Sequence, residues 1–178
     1  MKVEELSLKG LKIITLDAYK DERGFFKESY RRPLYEKNGI TCDFLQDNHS
    51  FSKKQTIRGM HFQSHPGQDK LISVLHGKIF DVVVDIRPDS ATFGKWEGII
   101  LDAEAHQQLF VPVGFAHGFC VLSDGAHVVY KVSSLFDPTT EKGFRFDDPD
   151  LLIDWPFNDP IVSERDKTSP FFKLAMIG

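Results

Sequence analysis

The sequence predicts an all-β protein, an antiparallel double-sheet sandwich or barrel with a few short helices. Two observations carry this. Short runs rich in β-branched and aromatic residues recur at close spacing, each bounded by Gly, Pro, Asp or Ser. The gaps between them hold little helical patterning, which argues against βαβ units.

In chain order, Leu11–Leu16 is the first such run, and Gly24–Tyr30 follows the polar turn Asp21–Arg23. Arg32–Lys37 reads as one or two helical turns opened by Pro33. Thr56–Gln63 reads as a buried strand. Lys70–Leu75 and Lys78–Ile86 flank His76–Gly77 and predict a hairpin. Trp96–Leu101, Gln107–Val111, Gly118–Leu122 and His127–Ser133 complete the strand set, and Pro160–Lys167 reads as a second short helix. Turn signals at Arg87–Asp89, Pro112–Gly114, Ser123–Gly125 and Asp137–Pro138 separate these runs. No repeat, low-complexity tract or linker divides residues 1–178, so one domain is expected.

Bulk properties narrow the function. The net charge of −4 gives no global attraction to nucleic acid or anionic membrane, so an anionic ligand needs a local cluster of Arg and Lys. No stretch reaches the length of a spanning helix and the first residues lack the apolar core of a signal peptide, which predicts a cytoplasmic protein. Cys42 and Cys120 are far apart and read as reduced, buried thiols. No glycine-rich phosphate loop, dinucleotide fingerprint or nucleophile elbow occurs, so no cofactor is signalled.

The residues that can carry chemistry cluster in a few segments. Arg58, Gly59 and His61 fall within four positions of the predicted strand, with Lys70 at the head of the next run. Strand alternation puts Gly59, His61 and Gln63 on one face and Arg58, Met60 and Phe62 on the other. On the residues alone, His61 fits a base beside a ligand and a core histidine equally well. Tyr130, on an apolar strand, has a phenol with an ordinary pKa of about 10 and by itself reads as a packed tyrosine. Asp166, in Ser163–Asp166, can fix the tautomer of a histidine but by itself reads as helix surface charge.

Eight segments resemble, in order, the dTDP-4-dehydrorhamnose 3,5-epimerase family: Asp21–Phe26, Gln46–Ser50, Arg58–Gln63, Phe93–Trp96, Pro112–Phe119, Val129–Lys131, Asp154–Pro156 and Ser163–Asp166. The resemblance spans nearly the whole chain and implies a cupin-type jelly roll, a homodimer and no metal or cofactor. Pro112–His117 also matches part of the second motif of metal-binding cupins. The first motif needs two histidines one residue apart and a following Glu, and here Phe62 and Gln63 follow His61, so the ligand set is incomplete.

The resemblance also implies roles. His61 matches the base that removes protons next to the C4 ketone of a dTDP-linked 4-keto-6-deoxy sugar, Asp166 its carboxylate partner, and Tyr130 the acid on the opposite face. Lys70 and Arg58 match cations near the ketone oxygen and the phosphates. Arg23, Phe26, Glu28, Gln46, Asn48, His117, Phe136, Glu141 and Arg165 match substrate-binding positions. Arg165 stands where the family often has lysine. Leu135–Phe136 replaces a common tyrosine pair, which keeps a stacking face and drops a hydroxyl. The loop Ser64–Asp69 also departs from the usual proline- and glutamine-rich form. The segment around Arg23, Phe26 and Glu28 is expected to reach a partner's site.

The chemistry fits these residue types. A C–H next to a ketone is a weak acid, so its removal needs a placed base and charge stabilisation at the enolate oxygen. Inversion then needs a proton from the other side. The alternatives are a relative that inverts one centre only, a ketoisomerase on another nucleotide 4-keto sugar, a non-catalytic sugar-binding cupin and a metal-dependent cupin enzyme.

Overall fold

The computed structural model describes residues 1–177. The elements, in order, are β1 (Lys2–Glu5), β2 (Lys12–Thr15), β3 (Tyr19–Asp21), β4 (Gly24–Phe26), α1 (Arg32–Lys37), β5 (Gln46–Lys53), β6 (Thr56–Gln63), β7 (Lys70–His76), β8 (Lys78–Asp85), β9 (Trp96–Asp102), β10 (Gln107–Val111), β11 (Phe115–Val121), β12 (Gly125–Val132), β13 (Glu141–Gly143), β14 (Ile161–Val162), α2 (Glu164–Thr168) and α3 (Phe172–Ile177). The first sheet runs β1-β2-β10-β7-β12-β5 and the second β13-β6-β11-β8-β9. Neighbours in both are antiparallel; β14 adds a short parallel pairing at the Thr56–Ile57 end of β6. β3 and β4 form a separate two-stranded hairpin. The expectation of a mostly antiparallel β protein with few short helices is met.

The two sheets share a core. Ile72 and Val74 of β7, Leu109 and Val111 of β10 and Val128 of β12 pack with Ile79 and Val83 of β8 and Phe119 and Val121 of β11. The unbroken apolar run Val82–Val84 is explained by burial on both faces. Val83 faces the other sheet, whereas Val82 and Val84 meet Phe144, Leu151 and Phe172 of the C-terminal segment.

The inward faces of several strands change character along their length. On β7 the sequence Val74, Ile72, Lys70 runs from apolar to charged, and on β12 Ala126, Val128, Tyr130 ends on a phenol. One end of the inter-sheet space is therefore filled by hydrocarbon, and the other is a polar cavity.

The hairpin expected at His76–Gly77 does not form. β7 pairs with β10 and β12 in the first sheet, and β8 pairs with β11 and β9 in the second. The link is an arch between layers. Gly77 takes it with φ +82°, and a Cβ there would lie 2.2 Å from the Gly125 carbonyl oxygen. A short turn-like link marks a reversal, but it does not say whether the next strand stays in the same sheet.

Other boundaries also moved. Of Gly24–Tyr30 only Gly24–Phe26 is strand. Pro160–Lys167 divides into β14 and α2, which Ser163 caps by accepting from the Asp166 amide at 3.1 Å. Cys42 and Cys120 are both free thiols.

Candidate active site

A cavity of about 500 Å³ opens at the polar end of the inter-sheet space. Its lining brings together His61, Asp166, Lys70, Tyr130, Arg58, Asn48, His117, Phe136, Glu141 and Arg165. Ten of the fourteen residues singled out from the sequence thus converge on one site from β5, β6, β7, β11, β12, β13, α2 and the loop before β13.

Strict alternation along β6 had placed Arg58 and His61 on opposite faces. This is corrected by a bulge. His61 lies opposite His117 while Arg58 lies opposite Phe119, so three steps on β6 match two on β11. The extra residue turns both Arg58 and His61 into the cavity and sends Met60 into the outer cluster. Gly59 makes the bulge possible. It has φ +137°, and a Cβ on it would sit 2.5 Å from the Gly118 Cα.

His61 Nε2 lies 2.7 Å from Asp166 Oδ1. The second oxygen, Oδ2, accepts from the Gly59 amide at 3.4 Å. Burial raises the Asp166 pKa, but hydrogen bonding to His61 and its charge, with the Gly59 and Ser163 hydrogen bonds, lowers it further, for a net depression. Asp166 is 4% exposed, so its charge is screened little by water. An ionised carboxylate on Nε2 leaves Nδ1 as the nitrogen that can take a proton from a ligand.

Lys70 and Tyr130 come from the opposite sheet. Lys70 is buried, and desolvation lowers its pKa to about 8 against the pull of Glu141 and Asp81. Burial raises the Tyr130 pKa, Glu141 adds to this and Arg58 opposes it. The phenol therefore stays protonated at neutral pH and is a donor. The His61 imidazole on one sheet and the Tyr130 phenol on the other line the same cavity.

The remaining groups shape the site. Arg165 Nη2 pairs with Glu141 Oε2 at 2.6 Å. Arg58 Nε donates to Ser52 Oγ at 2.8 Å. Gln46 does not line the cavity. Its Nε2 donates to Asn48 Oδ1 at 2.8 Å and its Oε1 accepts from the Phe136 amide at 3.0 Å, so it holds two lining residues in place.

Arg23, Phe26 and Glu28 stand apart from the cavity. Arg23 pairs with Asp21 in the β3–β4 hairpin, Glu28 pairs with Arg31 at 3.2 Å, and Phe26 is 67% exposed. Within one chain these three are not brought to the site.

Asp81 was not foreseen. It is fully buried on β8, and its two oxygens lie 3.0 and 2.9 Å from His117 Nε2, giving a second histidine–carboxylate pair beside the first. The signal was a carboxylate flanked by apolar residues, Phe80 and Val82, inside the run Lys78–Ile86. Gln63 also lines the cavity and is held by Asp137 O at 2.8 Å and Thr140 Oγ1 at 2.7 Å. Among the described residues no group of three or more His, Cys, Asp or Glu has metal-holding geometry.

A histidine–carboxylate base, a facing phenol and a buried cation define an acid–base site of the kind that moves protons next to a carbonyl. The family model described as dTDP-4-dehydrorhamnose 3,5-epimerase matches residues 5–173. A dTDP-4-dehydrorhamnose 3,5-epimerase of Methanothermobacter thermautotrophicus is 45% identical over 164 residues, 90% of this chain and 89% of its own. A solved epimerase from Legionella pneumophila, in complex with dTDP-4-keto-L-rhamnose, superimposes with a TM-score of 0.94 at 45% identity, over 97% of this chain and 93% of that one. A dTDP-4-dehydrorhamnose 3-epimerase of Streptomyces niveus is 39% identical over 94% of this chain and 82% of its own. The chain belongs to the dTDP-4-dehydrorhamnose 3,5-epimerase family.

Proposed function

We propose that the protein is a cofactor-independent isomerase that inverts C3 and C5 of dTDP-4-dehydro-6-deoxy-D-glucose to give dTDP-4-dehydro-L-rhamnose. The observation that carries this is the placement of the His61–Asp166 pair on one side of the cavity and Tyr130 on the other. His61 takes the proton next to the C4 ketone. Lys70 stabilises the enolate oxygen, and Tyr130 returns a proton to the opposite face. C3 and C5 both flank C4, so a small shift of the ring presents each to the same pair. Arg58 and Arg165 supply the positive charge for the diphosphate, and Asn48, His117, Glu141 and Phe136 hold the sugar nucleotide. Turnover of the 4-keto sugar with a downstream reductase trapping the product tests the reading directly. Binding without turnover would return the protein to the sugar-binding class.

The Streptomyces niveus relative favours one alternative, inversion at C3 alone. The product's configuration at C5 separates the two.

We infer further that the single domain is a cupin-type jelly roll, that it works in the cytoplasm and that it is a homodimer. The hairpin exposes Tyr19, Phe25 and Phe26 at 66%, 55% and 67%, an apolar surface that suits a partner protomer. Arg23, Phe26 and Glu28 then complete the partner's cavity. Sedimentation is expected to give a dimer, and a fully active monomer would contradict the inference.

Lys70 gives the reaction an alkaline limit. Its charged form is present below about pH 8 and lost above it, so kcat/KM should fall as pH rises through about 8. Lys70→Arg, which stays charged, should run at a lower rate without that limb. The same limb in the variant would assign it to another group.

A further inference from the structure

His106 closes the 3-10 turn Ala103–Ala105 just before β10, in left-handed backbone with φ +52°. The residue is 8% exposed. The Phe25 ring packs against it at a centroid distance of 4.7 Å, and Lys27 Nζ lies 3.2 Å from Nδ1 and 5.4 Å over the Phe25 ring. An ammonium can only donate, so Nδ1 is the acceptor and the imidazole hydrogen sits on Nε2. Burial, then the charges of Lys27 and Lys20, lower the His106 pKa against the pull of Glu104, which keeps the ring in this neutral form.

Among the described residues Nε2 is buried without a hydrogen-bond partner. A buried donor left unpaired is costly. Among the described residues the ring's hydrogen bonding serves Lys27, in the arm that follows β4. Along that arm Phe25 and Lys27 alternate with Phe26 and Glu28. Lys27 is part-buried against the barrel and Phe25 meets His106 with one side of its ring while staying 55% exposed, whereas Phe26 and Glu28 on the alternate side face solvent.

We propose that His106 is a positioning residue, a latch that seats Phe25 and Lys27 of the arm on its own barrel so that Phe26 and Glu28 on the alternate side, and Arg23 at the exposed tip of the hairpin, are presented to a partner protomer's cavity. This rests on the reading of the arm as part of the partner's site. The latch never touches substrate and acts through binding.

The test is His106→Asn, because asparagine tolerates left-handed backbone and removes the ring. Losing a hydrogen bond to a charged group together with an aromatic contact should raise the KM for the sugar nucleotide and the Ki of dTDP roughly tenfold. The kcat should stay within about twofold and the dimer should remain intact. The arm variant Arg23→Ala/Phe26→Ala should weaken dTDP binding by itself, and adding His106→Asn to it should cost nothing more. An undiminished extra loss in that background would mean that His106 acts on general stability, and normal dTDP affinity in His106→Asn would show that the arm holds itself. Either result overturns the latch while leaving the arm reading standing. Unchanged dTDP binding in the arm variant would overturn the arm reading and the latch together.

Discussion

His61→Asn is expected to abolish proton exchange at both C3 and C5 while dTDP still binds. Loss of a general base typically slows a reaction by about 10²–10⁴-fold, and this cavity offers no equivalent substitute. The second imidazole, His117, is carboxylate-paired like His61 but sits deeper in the wall, its side chain 9% exposed against 26% for His61. The buried amine, Lys70, is charged at neutral pH. Nucleotide affinity should survive because the diphosphate and base contacts come from other residues. Exchange near the native rate would place the base elsewhere.

Tyr130→Phe should separate two events that fail together in His61→Asn. Only a hydroxyl is removed, so the ring keeps its packing beside the central core. His61 still removes protons and, being a base, also returns them to the face they left. Solvent exchange should therefore survive better than inversion, with much of the label returning in the starting configuration. A structural tyrosine predicts a different outcome: a stability loss of about 1 kcal/mol with full inversion. That result would leave the proton donor unassigned.

The residue types alone carry only part of the site: by itself Tyr130 reads as a packed tyrosine and Asp166 as helix surface charge, and it is the resemblance that names the set the cavity brings together. A lysine and a tyrosine at the ends of inward apolar rows mark the places where an inward face turns polar, as at Lys70 beyond Ile72 and Tyr130 beyond Val128. What stayed hidden has physical reasons. β5 was not read as a strand because its inward residues Asn48, Ser50 and Ser52 are polar, which removes the alternation that signals a strand. The shared face of Arg58 and His61 depends on a bulge, and a period-2 count cannot register an inserted residue. The arch at Gly77 looks like a hairpin because chain reversal is local and sheet membership is not. Asp81 was passed over because a carboxylate in an apolar run explains itself only once its partner, 36 positions away, is in view. Arg23, Phe26 and Glu28 are named through the resemblance, and within one chain they stay apart from the cavity.

On the proposed reading, one base and one acid on facing sheets invert two carbons flanking a ketone. Turnover of dTDP-4-dehydro-6-deoxy-D-glucose by the native protein in deuterated water, with the product read by NMR, tests it most directly. Deuterium at both C3 and C5 of a product with the L-rhamno configuration is the predicted result. Label at only one of the two carbons, or inversion without label from solvent, would contradict it.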